Sequence, residues 1–128
     1  EFNLLKKKFS FKKNGKSISI RSVPVKHGKI LSQSFIINKS CGYVSDANEI
    51  FIKDLNFFKN LKYLVIDCLR FNKHPSHFSL DEVIKIKEYL KPKKTILTNM
   101  NNEMDYNYLC KILPKNIVPG YDGMSFYI

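Results

Sequence analysis

Arginine is scarce in this chain of 128 residues, although the formal net charge is +11. Only Arg21 and Arg70 are arginines, so lysine supplies nearly all of the positive charge. The lysines are scattered along the chain and are densest between residues 6 and 16. Planar recognition of phosphates and bases favours arginine, and a genome-wide bias towards lysine and asparagine explains the charge at least as well. Nucleic-acid binding is therefore the least favoured function.

Long apolar runs and a disulfide pattern are lacking as well. No run approaches the roughly 20 apolar residues that span a bilayer, and the beginning, EFNLLKKK, lacks the order of a signal peptide. The cysteines, Cys41, Cys68 and Cys110, are odd in number and lack CxxC spacing. That pattern fits buried or inert thiols better than disulfides or a zinc knuckle. The sequence thus predicts a cytoplasmic protein with no membrane partner.

The residues that are present suit one folded domain. A hydrophobic content of 44% argues against disorder, and a chain of this length can bury a sizeable core. No internal repeat or linker divides it. We therefore expect a single domain over residues 1–128.

Local patterns predict a mixed sheet. Asn14-Gly15, between two alternating apolar segments, predicts a β-hairpin, and Ser79 with Glu82 forms a capping box that begins a helix. One or two short helices are expected within residues 49–62. The predicted strands are 9–13, 16–25, 33–38, 41–45, 63–66, 95–98 and 124–128, and the longer helices are 80–90 and 104–113. An antiparallel first third followed by alternating strands and helices indicates the α/β class, with these helices on one face of the sheet.

Polar side chains follow the predicted strand 63–66, the most apolar of the chain. Asp67 comes directly after it, and a loop with His74 and His77 leads to the capped helix. Open α/β sheets tend to build their sites at the carboxyl ends of strands. A solvated loop between two ordinary elements explains this spacing about as well.

Several segments, in order along nearly the whole chain, carry a family resemblance. They are Val25–Gly28, Gly42–Asp46, Asp67–Arg70, His74–Glu82, Leu97–Met100 and Tyr121–Met124. Together they resemble the C-terminal half of metallo-β-lactamase-fold hydrolases, in the branch of the phosphoribosyl cyclic phosphodiesterases. The resemblance implies half of an αββα sandwich and a phosphodiester substrate.

The resemblance also implies a metal site. The family holds two divalent ions, commonly zinc or manganese, on an N-terminal HxHxDH motif, a later histidine, a bridging aspartate and a final histidine. His27 matches the later histidine, and Asp46 matches the bridging aspartate. His77 matches a histidine that is not a ligand and that assists proton transfer beside the substrate phosphate. Imidazole and carboxylate suit such ions, which activate water and clamp an anionic phosphodiester.

The chain departs from the family pattern in two ways. Nothing in it matches HxHxDH, and Asn99 stands where the family has its final ligand histidine. An amide oxygen is a poor replacement for imidazole on zinc. Only His27 and Asp46 remain of the implied ligands, too few for a tight site, so the chain alone is expected to be inactive and to hold no metal tightly.

Two functions from different classes remain open at this point. The chain is one half of a split or decaying phosphodiesterase that needs another segment with HxHxDH, or it is a non-catalytic binding or structural module derived from that fold. The half-sandwich also predicts an uncovered apolar face on the sheet, with a partner that is either an N-terminal half-chain or a second copy. The residues predicted on this face are Phe9, Phe11, Ile18, Ile20, Phe35, Ile37 and Val65.

Overall fold

The computed structural model describes residues 8–128, so the first seven residues of the predicted domain lie outside the described part. The strands are β1 (Lys8–Lys13), β2 (Lys16–His27), β3 (Ile30–Ile37), β4 (Cys41–Val44), β5 (Glu49–Ile50), β6 (Tyr63–Asp67), β7 (Lys94–Thr98) and β8 (Ile117–Pro119). The helices are a 3₁₀ helix (Ile52–Phe58), α1 (Leu80–Leu90) and α2 (Tyr106–Ile112). Within residues 8–128, no helix is long and apolar enough to cross a membrane.

The strands form one mixed sheet in the order β1-β2-β3-β4-β6-β7-β8, and β5 pairs with the second half of β2. The pairs from β1 to β4 are antiparallel, while those from β4 through β6 and β7 to β8 are parallel. Parallel neighbours need crossover connections, which the 3₁₀ helix, α1 and α2 supply. The predicted α/β class with a mixed sheet is confirmed.

The first hairpin turns at Asn14-Gly15, as the sequence predicts. Both residues have positive φ, 51° and 74°, and asparagine and glycine tolerate this left-handed backbone better than other residues. The turn sets the register that pairs Phe9 with Ile20 and Phe11 with Ile18. All four apolar side chains therefore share one face of the sheet.

Helix α1 begins and ends on local signals. The Ser79 hydroxyl and the Glu82 carboxylate form the predicted capping box at its first turn. At the other end, Lys91 takes a left-handed conformation, with φ 53°, just before Pro92. The predicted helix 80–90 is confirmed, and the predicted helix 104–113 is the shorter α2, whose first turn is capped by Asp105.

The buried core lies between the helices and one face of the sheet. Val83 of α1, Leu109 of α2 and Phe58 of the 3₁₀ helix are fully buried in it. The strands contribute alternate residues, including Val23, Val25, Leu64, Ile66 and Leu97. Both longer helices thus pack on the same side of the sheet.

The opposite face of the sheet, which we call the open face, is apolar and lacks a helical layer in the described chain. Cross-strand pairing places Phe35 beside Tyr43, and Tyr43 beside Val65. Tyr43 is 40% exposed and Phe11 45% exposed. The open face consists of Phe9, Phe11, Ile18, Ile20, Phe35, Ile37, Tyr43 and Val65, none of which belongs to the buried core.

The predicted strand 124–128 is wrong. The last strand is β8, a short edge strand that the sequence analysis missed because three residues ending in Pro119 carry little strand signal. Beyond it, the Met124 N–H donates to the Tyr121 carbonyl and closes a turn. The tail then crosses the open face at its β6 end, where the Phe126 ring packs on Tyr63 with the centroids 4.5 Å apart.

Candidate metal centre

Strands that run in the same direction end together at one edge of the sheet, which we call the carboxyl edge. β4, β6 and β7 are parallel, and β2 shares their direction because two antiparallel pairings separate it from β4. β2 ends at His27 and β6 ends at Asp67, while Asp46 and Asn99 lie just beyond β4 and β7. The topology therefore gathers these four polar residues at a single edge.

Asp46 and Asn99 leave their strands in left-handed backbone conformations. Their φ angles are 48° and 59°, and non-glycine residues in this region are uncommon and tend to cluster at functional sites. The Asn99 side-chain amide donates to Asp46 Oδ1 at 3.2 Å and to Ser45 Oγ at 3.1 Å. Asn99 thus presents N–H donors to the neighbouring carboxylate.

The loop over residues 68–79, which we call the histidine loop, is fastened to the carboxyl edge by backbone hydrogen bonds. The Phe78 N–H donates to the Ala47 carbonyl at 2.9 Å, and the Leu69 N–H donates to the Phe78 carbonyl at 3.0 Å. The loop also passes close to Gly28, where a Cβ would lie 3.1 Å from Ser76 Cβ. These contacts hold the loop against the ends of β2 and β4.

The structure brings together the three residues that the resemblance singled out. One possible ligand atom from each of His27, Asp46 and His77 lies within 4.8 Å of those of the other two. The two imidazole rings stand edge to face with their centroids 4.7 Å apart. His74 lies beside them, 5.2 Å from His77 between ring centroids, but it is not part of this group. The assignment of His27 and Asp46 as ligands and of His77 as a proton-transfer group stays a prediction.

Asp67 is the functional candidate that the sequence analysis did not assign. Its side chain is fully buried, and Oδ2 accepts hydrogen bonds from the Ala47 N–H at 2.9 Å and from His77 Nδ1 at 2.6 Å. Oδ1 is buried without a partner among the described residues. Burial raises the pKa of Asp67 above its ordinary value, and the hydrogen bonds from Ala47 and His77 oppose this shift. The available signal was an acidic residue directly after an apolar strand.

Comparison with solved structures shows which fold the chain shares. The chain superposes on a diphosphatase from the PhnP family with a TM-score of 0.84 and 27% identity, over 93% of this chain and 46% of that one. It superposes on the metallo-β-lactamase-fold protein YhfI from Bacillus subtilis with a TM-score of 0.73 and 13% identity, over 94% of this chain and 53% of that one. The predicted resemblance to metallo-β-lactamase-fold hydrolases is confirmed.

A third solved structure shares the fold at a lower sequence identity. The short form of human tRNase Z matches with a TM-score of 0.68 and 10% identity, over 92% of this chain and 44% of that one. No protein-family model and no curated protein sequence matches. The chain spans about half the length of each of these three structures.

The described residues do not fit the two-metal set that the family implies. His27 and Asp46 stand together at the carboxyl edge, but Asn99 directs its N–H groups at the Asp46 carboxylate. In this orientation the amide turns its N–H side, which has no lone pair, towards Asp46, so Asn99 does not take the place of the missing histidine. Two imidazoles and one carboxylate are too few for a pair of ions, so the described residues alone do not form a two-metal centre.

Proposed function

We propose that this chain is the C-terminal half of a metal-dependent phosphodiesterase-type hydrolase, completed by another segment of the fold that carries HxHxDH. The observation that carries this proposal is the meeting of His27, Asp46 and the Asp67–His77 pair at the carboxyl edge. The likeness to a diphosphatase supports a phosphorus-containing substrate. We also infer a cytoplasmic location, because the cysteines are free thiols.

The Asp67–His77 pair suits proton transfer. Asp67 Oδ2 accepts from both Ala47 and His77, so the proton of a neutral His77 belongs on Nδ1 and the lone pair on Nε2. That nitrogen is free to take a proton, and the Asp67 carboxylate would stabilise the resulting imidazolium. His77 would then return the proton to the leaving oxygen of the substrate.

The remaining residues of the site would hold ions and substrate. His27 offers Nε2, and Asp46 offers carboxylate oxygens in the completed site. A divalent metal bound there would supply Lewis-acid polarisation of the phosphoryl oxygens. The ligands that this chain lacks must come from the HxHxDH segment.

We further propose that this segment covers the open face. Phe9, Ile20, Phe35, Ile37 and Tyr43 surround an apolar hollow of about 260 Å³ on that face. The tail covers only the β6 end, where Phe126 meets Tyr63. An N-terminal half is the favoured partner because the structural neighbours are about twice as long as this chain. A second copy bound to the same face is the alternative outcome.

A hydrolysis assay tests the proposed activity. The purified chain should not hydrolyse bis(p-nitrophenyl) phosphate at a useful rate with zinc or manganese, and co-expression with an HxHxDH segment of this fold should give turnover. In the complex, His77→Ala should lower kcat by about 10²–10⁴-fold, while the matched control His74→Ala should change it little. Turnover by the chain alone that is lost in His27→Ala would contradict the need for a second segment.

Asn99 favours a second candidate function. Because its N–H groups bond to Asp46 where the family has a ligand histidine, the chain has lost one element of the chemistry. A non-catalytic binding or structural module derived from this fold would share that feature. A complex that forms with the HxHxDH segment and stays inactive with every divalent metal tested would favour this module over the enzyme.

A further inference from the structure

A pocket lined by positive charge, which we call the basic pocket, lies between the first strands and the 3₁₀ helix. Its volume is about 340 Å³, and its lining includes the cations Lys8, Arg21, Lys39 and Lys59. Arg21 alternates along β2 with Val23 of the buried core, so the pocket is on the helix side of the sheet. Arg21 also precedes His27 by six residues on this strand. At about 3.3 Å per residue, the pocket lies roughly 20 Å from the carboxyl edge.

Two of these cations are direct neighbours in the sheet. Lys8 of β1 is paired with Arg21 of β2, and like charges at directly opposed positions of two strands are destabilising. None of the four cations forms an ion pair within residues 8–128. Asp54 shares an adjoining hollow with Arg21, but no acidic residue of the described chain lines the basic pocket itself. An anion bound between the cations would offset their repulsion.

Lys39 occupies a backbone position that suits glycine. The turn between β3 and β4 has positive φ at Asn38 and at Lys39, 52° at each, and the Ser40 N–H donates to the Ile37 carbonyl across it. Tight turns with two positive φ angles favour Asn-Gly, which is the pair that the first hairpin uses. Glycine would fit this backbone better than lysine does, and Lys39 instead adds a positive charge to the basic pocket.

Aromatic rings hold two of the cations in position. The guanidinium carbon of Arg21 lies 4.3 Å from the centroid of the Phe57 ring, and Lys59 Nζ lies 4.4 Å from that of Tyr89. Such a contact uses the face of a guanidinium and leaves its in-plane N–H groups available for a phosphate. Phe57 and the buried Ile36 also give the pocket apolar surface. The basic pocket therefore combines charge for phosphate with apolar surface for an organic group.

We propose that the basic pocket binds a small organic phosphate of about nucleotide size, with its phosphoryl groups between Lys8, Arg21 and Lys39. Arg21 would hold one phosphoryl group through two N–H groups, while the lysines would act as point charges. A volume of about 340 Å³ lies within the range of small-molecule sites, roughly 300–1,000 Å³. Several cations suit a ligand with two phosphoryl groups better than one with a single group. This site does not depend on the proposed hydrolase function.

Calorimetry of the purified chain with ADP as the probe tests the proposal, in EDTA so that no metal ion at the carboxyl edge holds the phosphates. We expect one ADP per chain, weaker binding of pyrophosphate, which lacks the organic group, and no binding of adenosine, which lacks phosphate. Arg21→Gln should weaken ADP binding by roughly 10–100-fold, because it removes charge-assisted hydrogen bonds. Lys85→Gln is the matched control. It removes one positive charge at an exposed position of α1 and should bind ADP as the parent chain does.

Lys39→Gly separates binding from folding. It removes a charge and gives the turn its preferred residue, so ADP affinity should fall about tenfold while the urea midpoint does not fall. Circular dichroism of each variant shows whether its fold is kept.

The proposal is wrong if the folded chain binds no ADP, or if Arg21→Gln or Lys39→Gly keeps full affinity. Pyrophosphate or adenosine binding as tightly as ADP would contradict an organic phosphate as the ligand. An equal loss in Lys85→Gln would indicate only a general effect of charge, and an equal loss in His77→Ala would place ADP at the carboxyl edge. An inactive complex whose separate chain binds ADP contradicts the hydrolase function alone, whereas an active complex whose separate chain binds none contradicts this site alone.

Discussion

The two faces of the sheet should respond differently to the loss of apolar side chains. Leu64 is fully buried under the helices, so Leu64→Ala should cost about 2–5 kcal/mol of unfolding free energy. Ile20 lies half-buried on the open face. Complete burial of such a side chain is worth about 1.5–3 kcal/mol, so Ile20→Asn should cost the free chain only about 1 kcal/mol.

Binding of a partner to the open face should be weakened more by Ile20→Asn than by Leu64→Ala, the reverse of their order for the stability of the free chain. If a partner covers the open face, Ile20→Asn buries an unsatisfied amide, which costs about 1–3 kcal/mol, and it also forfeits apolar burial. A combined loss of about 3–5 kcal/mol weakens the complex by roughly 10²–10³-fold or more. Leu64→Ala, on the far face, should weaken association only through the lower stability of the fold.

Urea unfolding of the free chain and sedimentation of the chain with its partner measure the two quantities. The partner is the HxHxDH segment, and sedimentation of the chain alone reports self-association on the same face. The reasoning fails if Ile20→Asn destabilises the free chain as much as Leu64→Ala while the chain stays a sharply melting monomer. That result would mean that the chain covers the open face by itself.

Three further predictions concern the cysteines, the capping box of α1 and Asn99. At neutral pH, iodoacetamide should label the exposed Cys110 and spare Cys41 and Cys68, which are both buried. Burial, together with the Asp67 charge, also raises the pKa of Cys68 to about 12. Rapid labelling of all three thiols in the folded chain would contradict the burial of Cys41 and Cys68. Ser79→Ala should remove half of the capping box of α1 and cost about 1 kcal/mol, seen as a lower urea midpoint. Asn99→His should raise zinc affinity in calorimetry without giving the separate chain phosphodiesterase activity, because the HxHxDH ligands are still missing.

Local signals predicted most of the fold correctly. The Asn14-Gly15 turn and the Ser79 capping box depend only on neighbouring residues, and both are present in the structure. The strand predicted over 124–128 failed because alternating apolar residues in a tail look the same whether they pair in a sheet or pack over its face. Phe126 does the latter, against Tyr63.

The candidate site was predictable only in part. The family resemblance singled out His27 and Asp46, and strand direction then brings them to one edge of the sheet, while their role as ligands stays a prediction. The role of Asp67 could not be predicted, since its contact with His77 depends on how residues 68–79 fold back over the sheet. Neither partner of that pair carries a local signal of the other.

The replacement of a ligand histidine by Asn99 changes the chemistry of the carboxyl edge in a specific way. The amide would give up the metal–nitrogen bond that the resemblance implies, while its N–H donates to the Asp46 carboxylate beside the two histidines. Outer hydrogen bonds of this kind strengthen a site through orientation and cannot supply a missing donor atom. In the proposed metal centre, the His27, Asp46 and His77 group would supply donors for one ion at most, and a second ion would require donor atoms from outside the described residues.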